Sequence, residues 1–322
     1  MFFLMLQEKG LVNKMLKYFN TFKGMTVRNM KVYLKDRMTI VMSMMTQIII
    51  LGLFILFIKN NYFEGIKNIV EMFGNVITDN DIESVVNSWL VSGVIGTSVI
   101  TVALNSLNVM VSDKQKKISY DYGASPVKNS AIVLSYFFGA FINTFIISSI
   151  ILTAGFIFLC IPNTVNYSFY DIAGMYGFVA LGSISATLIL MFVVSFFKKT
   201  STLNSFGIIV SAAVGFVIGA YIPVGQFDSN VQTAVNLVPG AQIAGMMRNL
   251  LVSPAINNIN DALNGADKGA VAEELNSIFA INMNIFDNEI GFNFMLTYSV
   301  AVIILFLILN LITYKFSSRT TE

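Results

Sequence analysis

The chain has 322 residues, 55% of them hydrophobic and 12% charged, with a mean hydropathy of +0.72. This excludes an ordinary water-soluble globular domain, where about a quarter of residues are charged. It carries no His and one Cys, Cys160, which excludes disulfide frameworks, thiolate metal sites and most hydrolytic triads. The net charge of +2 gives no basis for a nucleic-acid partner.

The first 37 residues are basic. Val27, Met30 and Leu34 follow an i, i+3, i+7 spacing, and Arg28, Lys31 and Lys35 repeat it one residue on. On a helix these form an apolar stripe beside a basic one, as in a helix lying in the headgroup layer. Six uncharged stretches of membrane-crossing length follow, at about 38–58, 88–112, 130–161, 172–197, 203–222 and 293–314. The expected fold class is an all-α integral membrane protein with six transmembrane helices. It divides into a segment 1–37, a transmembrane domain 38–314 and a tail 315–322.

Charge fixes the expected orientation. The face made by residues 1–37, the loop after the second span, Lys198, Lys199 and the tail holds 16 basic residues, against four on the other face. Basic residues accumulate in short cytoplasmic segments, so both termini are expected in the cytoplasm. The outer face has 13 acidic residues against five inside, and no cleavable signal peptide is expected at the N-terminus. The acidic segment 59–87 reads as an outer loop, and 223–292 as an outer excursion too long to lack structure. Within it, Val231 to Leu251 is interrupted by Pro239 and Gly240, which suits two short helices. Residues 257–289 are rich in Asn and Asp and read as solvated.

No phosphate-binding loop and no dinucleotide fingerprint occurs, so the chain is not expected to be an enzyme or to hydrolyse ATP by itself. No Asp, Glu, Lys or Arg lies inside the six stretches, which weighs against an ion-coupled carrier. The spans do carry a polar seam: Ser98, Thr101, Asn105, Asn108 and Ser112 share one helical face of the second span. Buried Asn side chains need partners, so this face meets another helix, a second subunit or a wet pathway. Ser135, Gly139 and Asn143, and Ser211, Gly215 and Gly219, are spaced for close helix approach.

The segment Arg28-Asn-Met-Lys-Val-Tyr-Leu-Lys-Asp-Arg37 leads into the first span, and Asp113-Lys-Gln-Lys-Lys-Ile-Ser-Tyr-Asp-Tyr-Gly-Ala-Ser-Pro126 follows the second. Gly219-Ala-Tyr-Ile-Pro223, Phe227 and Asn236-Leu-Val-Pro239 follow the fifth. In this order they resemble the membrane subunit of type-2 ATP-binding-cassette exporters, over roughly residues 23–314. Lys35 stands where the family usually has Arg, residues 1–22 extend beyond the usual start, and the insertion near 255–290 is longer than in the simplest members. Pro126 disfavours helix at Ser125 and turns the chain before the third span.

The resemblance implies an elbow helix with Arg28, Lys31, Lys35, Asp36 and Arg37, and a cytoplasmic coupling loop 113–129. In that loop Lys116, Lys117, Asp121, Gly123, Ser125 and Pro126 would dock on the ATPase, with Asp113 and Lys114 adding to the charged surface. It also implies an outer gate at Tyr221, Pro223, Phe227, Pro239 and Arg248. Ser98, Thr101, Asn105 and Asn108 are candidates for the cargo path. The expected partners are ABC ATPase subunits, a second permease subunit and the bilayer. ATP and Mg would sit on the ATPase, with no cofactor in this chain. The resemblance places the protein in the cytoplasmic membrane of a bacterium and implies outward transport of an amphipathic or hydrophobic cargo. Two other classes share these features: a membrane sensor or assembly factor with a ligand-binding outer loop, and an ion-coupled carrier.

Overall fold

Helices dominate the computed structural model of the chain, which describes residues 2–73, 76–118, 121–122, 127–161 and 164–317; for residues 2–15, Lys17 and 314–317 only the backbone is described. Helix α1 runs Phe2–Lys35 without a break. Asp36 then ends one helix and starts the next: its carboxylate accepts from the Thr39 amide at 3.2 Å and from the Thr39 hydroxyl at 2.7 Å, satisfying amides that a helix start leaves unpaired.

The first span is α2 (Arg37–Leu53), continued by one π-helical turn (Phe54–Ile58) and by α3 (Lys59–Val70). The second is α4 (Asp79–Ser106) with α5 (Asn108–Gln115). The third is α6 (Asn129–Leu159), the fourth α7 (Phe169–Val194) and the fifth α8 (Thr200–Ile218). The outer excursion contains α9 (Ser229–Asn236), α10 (Pro239–Leu263), α11 (Ala270–Ile278) and a hairpin of β1 (Met283–Ile285) and β2 (Asn288–Ile290). The last span is α12 (Phe292–Ser317). Among the described residues six helices are long and apolar enough to cross a bilayer.

The structure corrects three expectations. Segment 59–87 is not mainly a loop, because the first span continues to Phe73 and the second begins at Asp79. Its charges pair across the two helices, Lys59 with Glu83 at 3.1 Å and Lys67 with Asp79 at 3.2 Å. Ile66 and Val70 meanwhile bury on the second span. Residues 231–251 do divide into two helices at Pro239, but only α9 is short: Pro239 opens a helix of 25 residues that runs through Pro254. Pro suits a first helical position, where its missing N–H costs nothing. Residues 257–289 are not uniformly solvated, since Ile259, Leu263, Val271, Leu275 and Phe279 form the buried side of the outer helices.

The second span is the centre of the molecule. Of its most apolar 18 residues 78% are buried, against 22% for the fifth and sixth spans, so most faces of those peripheral helices are left open. It packs against the first, third, fourth and fifth spans and against α10. An outer core gathers Phe54, Trp89, Leu251, Ile259 and Phe279. An inner core at the other end gathers Leu104, Leu107, Val111, Ile132, Met191 and Leu203.

Candidate transport pathway and cytoplasmic coupling site

A groove of about 1040 Å³ runs between the first and fifth spans, floored by the second. Met38, Met42, Met45 and Ile49 line one wall and Asn204, Ile208 and Ser211 the other, while Asn105 and Asn108 rise from the floor. Each set recurs every three or four residues, which is how a helix presents a single face. No residue with a charged side chain lines it. The polar side chains gather at the end near Met38 and Asn204, and the opposite end is closed by Phe57, Phe216 and Tyr221. Gly215 makes that closure geometrically available, since a Cβ there would lie 2.2 Å from the Tyr221 ring. At Gly215 and Gly219 that stripe of small residues receives side chains from its own chain turn, Tyr221 and Val224, while Ser211 faces the groove. Gly219, at φ 79°, ends the fifth span in the left-handed region that favours glycine.

The seam on the second span divides into two parts. Ser98 is buried and donates to Ser148 on the third span at 3.0 Å. Thr101 is buried too, 2.9 Å from the Gln47 side-chain amide of the first span. Asn105 donates to the Thr101 carbonyl at 2.8 Å but also faces the groove. Asn108 faces the groove as well, and its Oδ1 has no hydrogen-bond partner. On the third span Ser135 and Gly139 take the elbow helix, with Asn29 Nδ2 3.4 Å from Ser135 Oγ and the Asn29 Cβ 2.9 Å from where a Cβ on Gly139 would be. Asn143 donates to Ser106 on the second span at 2.9 Å.

Helix α1, where the elbow is expected, docks through a face other than the expected apolar stripe. Thr26, Asn29 and Tyr33 are buried, with the Tyr33 hydroxyl donating to Ser43 at 2.9 Å. Val27 and Leu34 stay exposed, as do Lys31, Lys35 and Arg37. Arg28 turns inward and grips Asp113 with both terminal nitrogens, Nη2 to Oδ1 at 2.8 Å and Nη1 to Oδ2. The Tyr136 hydroxyl adds a third donor to Asp113 at 2.7 Å. The Arg28 pKa is raised, first by the hydrogen bond to Asp113 and then by its charge, against the opposing effect of burial. A raised basic pKa means that the pair's contribution is complete below the ordinary Arg value and fades only in strong alkali.

Asp113 and Lys114 thus leave the charged docking surface on which the sequence put them. Asp113 is buried between elbow and third span, and Lys114 Nζ donates to the Ser195 carbonyl at 2.5 Å, at the end of the fourth span. Gln115 Oε1 accepts from the Thr200 amide at 2.8 Å and the Thr200 hydroxyl at 2.9 Å. Lys116, Lys117 and Asp121 are exposed, Lys117 with φ 61°. Gly123, Ser125 and Pro126 lie outside the described residues. Sequence reasoning missed the inward roles of Asp113, Lys114 and Gln115; the available signal was an Asp ending an apolar span at the depth of a basic helix, where an unpaired carboxylate is costly.

The expected outer-gate residues lie on the fifth-span turn and on α10. Tyr221 closes the groove, whereas Pro223 is buried in the turn beyond it and Phe227 is half-buried. Pro239 opens α10 beside a separate apolar cavity of about 240 Å³. Arg248 is 1% exposed and donates to the carbonyls of Ile218 at 3.1 Å and Ala280 at 3.2 Å, so it ties α10 to the outer end of the fifth span. Burial pulls its pKa down to about 10, which leaves it a cation at neutral pH.

A family model described as an ABC-2 family transporter protein matches residues 13–315. No curated protein matches the chain.

Proposed function

We propose a function for this chain from the premise that it belongs to the ABC-2 family of transporter proteins, whose match covers residues 13–315. It is a permease subunit of an ABC transporter in a membrane, and the family implies an ABC ATPase as its partner. Beyond that premise, the chain exports an amphipathic or hydrophobic cargo, such as a drug, a lipid or a peptide, across the cytoplasmic membrane. Both of its termini lie in the cytoplasm. The groove carries this reading: its walls are methionine, isoleucine and phenylalanine, its polar groups are neutral, and it has no counter-ion for a charged cargo.

The first and fifth spans leave large apolar side chains open along the groove, including Met38 at 63%, Phe57 at 65% and Ile208 at 72% exposure. A second permease subunit facing this side would complete the enclosure. Two ATPases would then bind the cytoplasmic end at Lys116, Lys117 and Asp121, and their closure on ATP would drive the groove outward. ATP and Mg belong to those subunits.

The tagged chain purified in mild detergent is expected to bring an ATP-hydrolysing subunit with it in equal amount; a chain that emerges alone overturns the reading. Replacing Asn105 and Asn108 together by Leu is expected to shift the cargo preference toward more apolar compounds with little change in melting temperature. Asn108 makes no side-chain hydrogen bond among the described residues whose loss would destabilise the fold. Unchanged transport across a panel of compounds, compared under equal expression, returns both residues to ordinary packing.

A further inference from the structure

We propose that Gln115 is a positioning residue that carries movement of the coupling segment to the fifth span; the inference rests on the permease reading above. A helix start leaves its first amides without intrahelical partners, and a Ser, Thr, Asp or Asn at the cap position normally accepts from one of them. At the start of the fifth span that position is Lys199, whose side chain makes no capping hydrogen bond. The acceptor comes instead from 85 residues away, where Gln115 Oε1 takes both the amide and the hydroxyl of Thr200.

Its neighbours hold the other cytoplasmic elements. Asp113 grips the elbow helix through Arg28 and the third span through Tyr136. Lys114 holds the last turn of the fourth span through the Ser195 carbonyl. Three consecutive residues therefore fasten the end of the second span to the elbow and to spans three, four and five. Lys116 and Lys117 follow directly and are exposed, so a force applied there meets these ties first.

The fifth span is the one that such a tie can move. Little of it is buried, and it forms a whole wall of the groove with Asn204, Ile208 and Ser211. Its outer end is held separately, by Arg248 on the Ile218 carbonyl and by the Trp89 indole on the Gly219 carbonyl at 2.9 Å. With the outer end fixed and the inner end tied to Gln115, displacement of the coupling segment swings the cytoplasmic half of the wall.

The test uses the complex purified with its ATPase, carrying Cys160→Ser so that Ser211→Cys is the reporter. Maleimide labelling of that cysteine is timed without nucleotide and with ATP plus vanadate. The expected result is a nucleotide-dependent change in labelling rate that shrinks by at least about fivefold in Gln115→Met, the equilibrium shift from losing one hydrogen bond, where this variant loses two. Gln115 is exposed, so the variant is expected to fold and to keep its ATPase. Gln115→Glu is expected to retain the response, because a carboxylate still accepts from both donors and is favoured at a helix start. A full response in Gln115→Met, or equal loss in Gln115→Glu, overturns the inference while the permease reading stands. An unresponsive reporter in the otherwise unsubstituted complex, with the ATPase present, also overturns it. A chain that carries no ATPase at all overturns the permease reading and this inference together.

Discussion

Arg28→Ala is expected to release the elbow helix and to lower stability by about 2–3 kcal/mol, more than Asp113→Ala. Removing one partner of a fully buried ion pair typically costs about 3–5 kcal/mol, because the other charge is left without compensation. The two partners here are unequally buried: the Arg28 side chain is 35% exposed and Asp113 only 3%. Solvent screens part of the pair, which lowers the expected figure below the fully buried range. Loss of Arg28 strands a buried carboxylate that keeps, among the described residues, the Tyr136 hydroxyl as a side-chain donor. Loss of Asp113 instead leaves a guanidinium that water can partly reach. Thermal melting in detergent checks the order, and limited proteolysis at Lys23 and Lys31 reports whether the elbow has come away. Equal melting temperatures in both variants and the unsubstituted chain would show that the pair holds nothing in place.

Trp89→Ala is expected to be the most damaging single substitution in the outer half, at about 3–5 kcal/mol for a buried Trp. Trp89 is 0% exposed and stands where four elements meet. Its ring lies 4.9 Å from Tyr62, 5.7 Å from Phe279 and 6.3 Å from Phe54, centroid to centroid. Its indole N–H also holds the Gly219 carbonyl at the end of the fifth span. Trp89→Phe keeps most of the aromatic area and loses that donor, leaving the carbonyl unpaired for about 1–3 kcal/mol. The measurement is thermal melting paired with protease cutting in the exposed turn around Gly265 and Asp267. The outer helices should become cleavable in Trp89→Ala and stay protected in Trp89→Phe. Protection equal to the unsubstituted chain in both would show that the outer helices hold to the spans without this residue.

These two sites also show where sequence reading stopped. Arg28 was legible as part of a basic amphipathic helix, but periodicity assigns a residue to a helical face without naming what that face meets. The apolar stripe Val27, Met30 and Leu34 drew attention to one face, while the protein docks through Thr26, Asn29 and Tyr33. The short side chains of that face, Thr26 and Asn29, pack closely on Ser135 and Gly139, where bulky ones would hold the helices apart. The seam was legible as a set, yet Ser98 and Thr101 close onto neighbouring helices while Asn105 and Asn108 open to the groove. In the outer loop, the density of Asn and Asp hid the buried positions Ile259, Leu263 and Leu275 that make it a folded cap.

The membrane class, the six apolar crossings, the lack of ATP-binding motifs and the order of segments that points to an ABC permease were all readable along the chain. These follow from local composition, because a bilayer demands about 20 apolar residues per crossing whatever the neighbours are. It took the folded structure to show which charges face inward, which half of the seam lines the groove, and that Asp113, Lys114 and Gln115 tie α1 and the ends of the third, fourth and fifth spans to the second. Those are contacts between residues some 80 positions apart, such as Gln115 with Thr200. Their energy depends on distance and burial, which the spacing of residues along one helix does not encode.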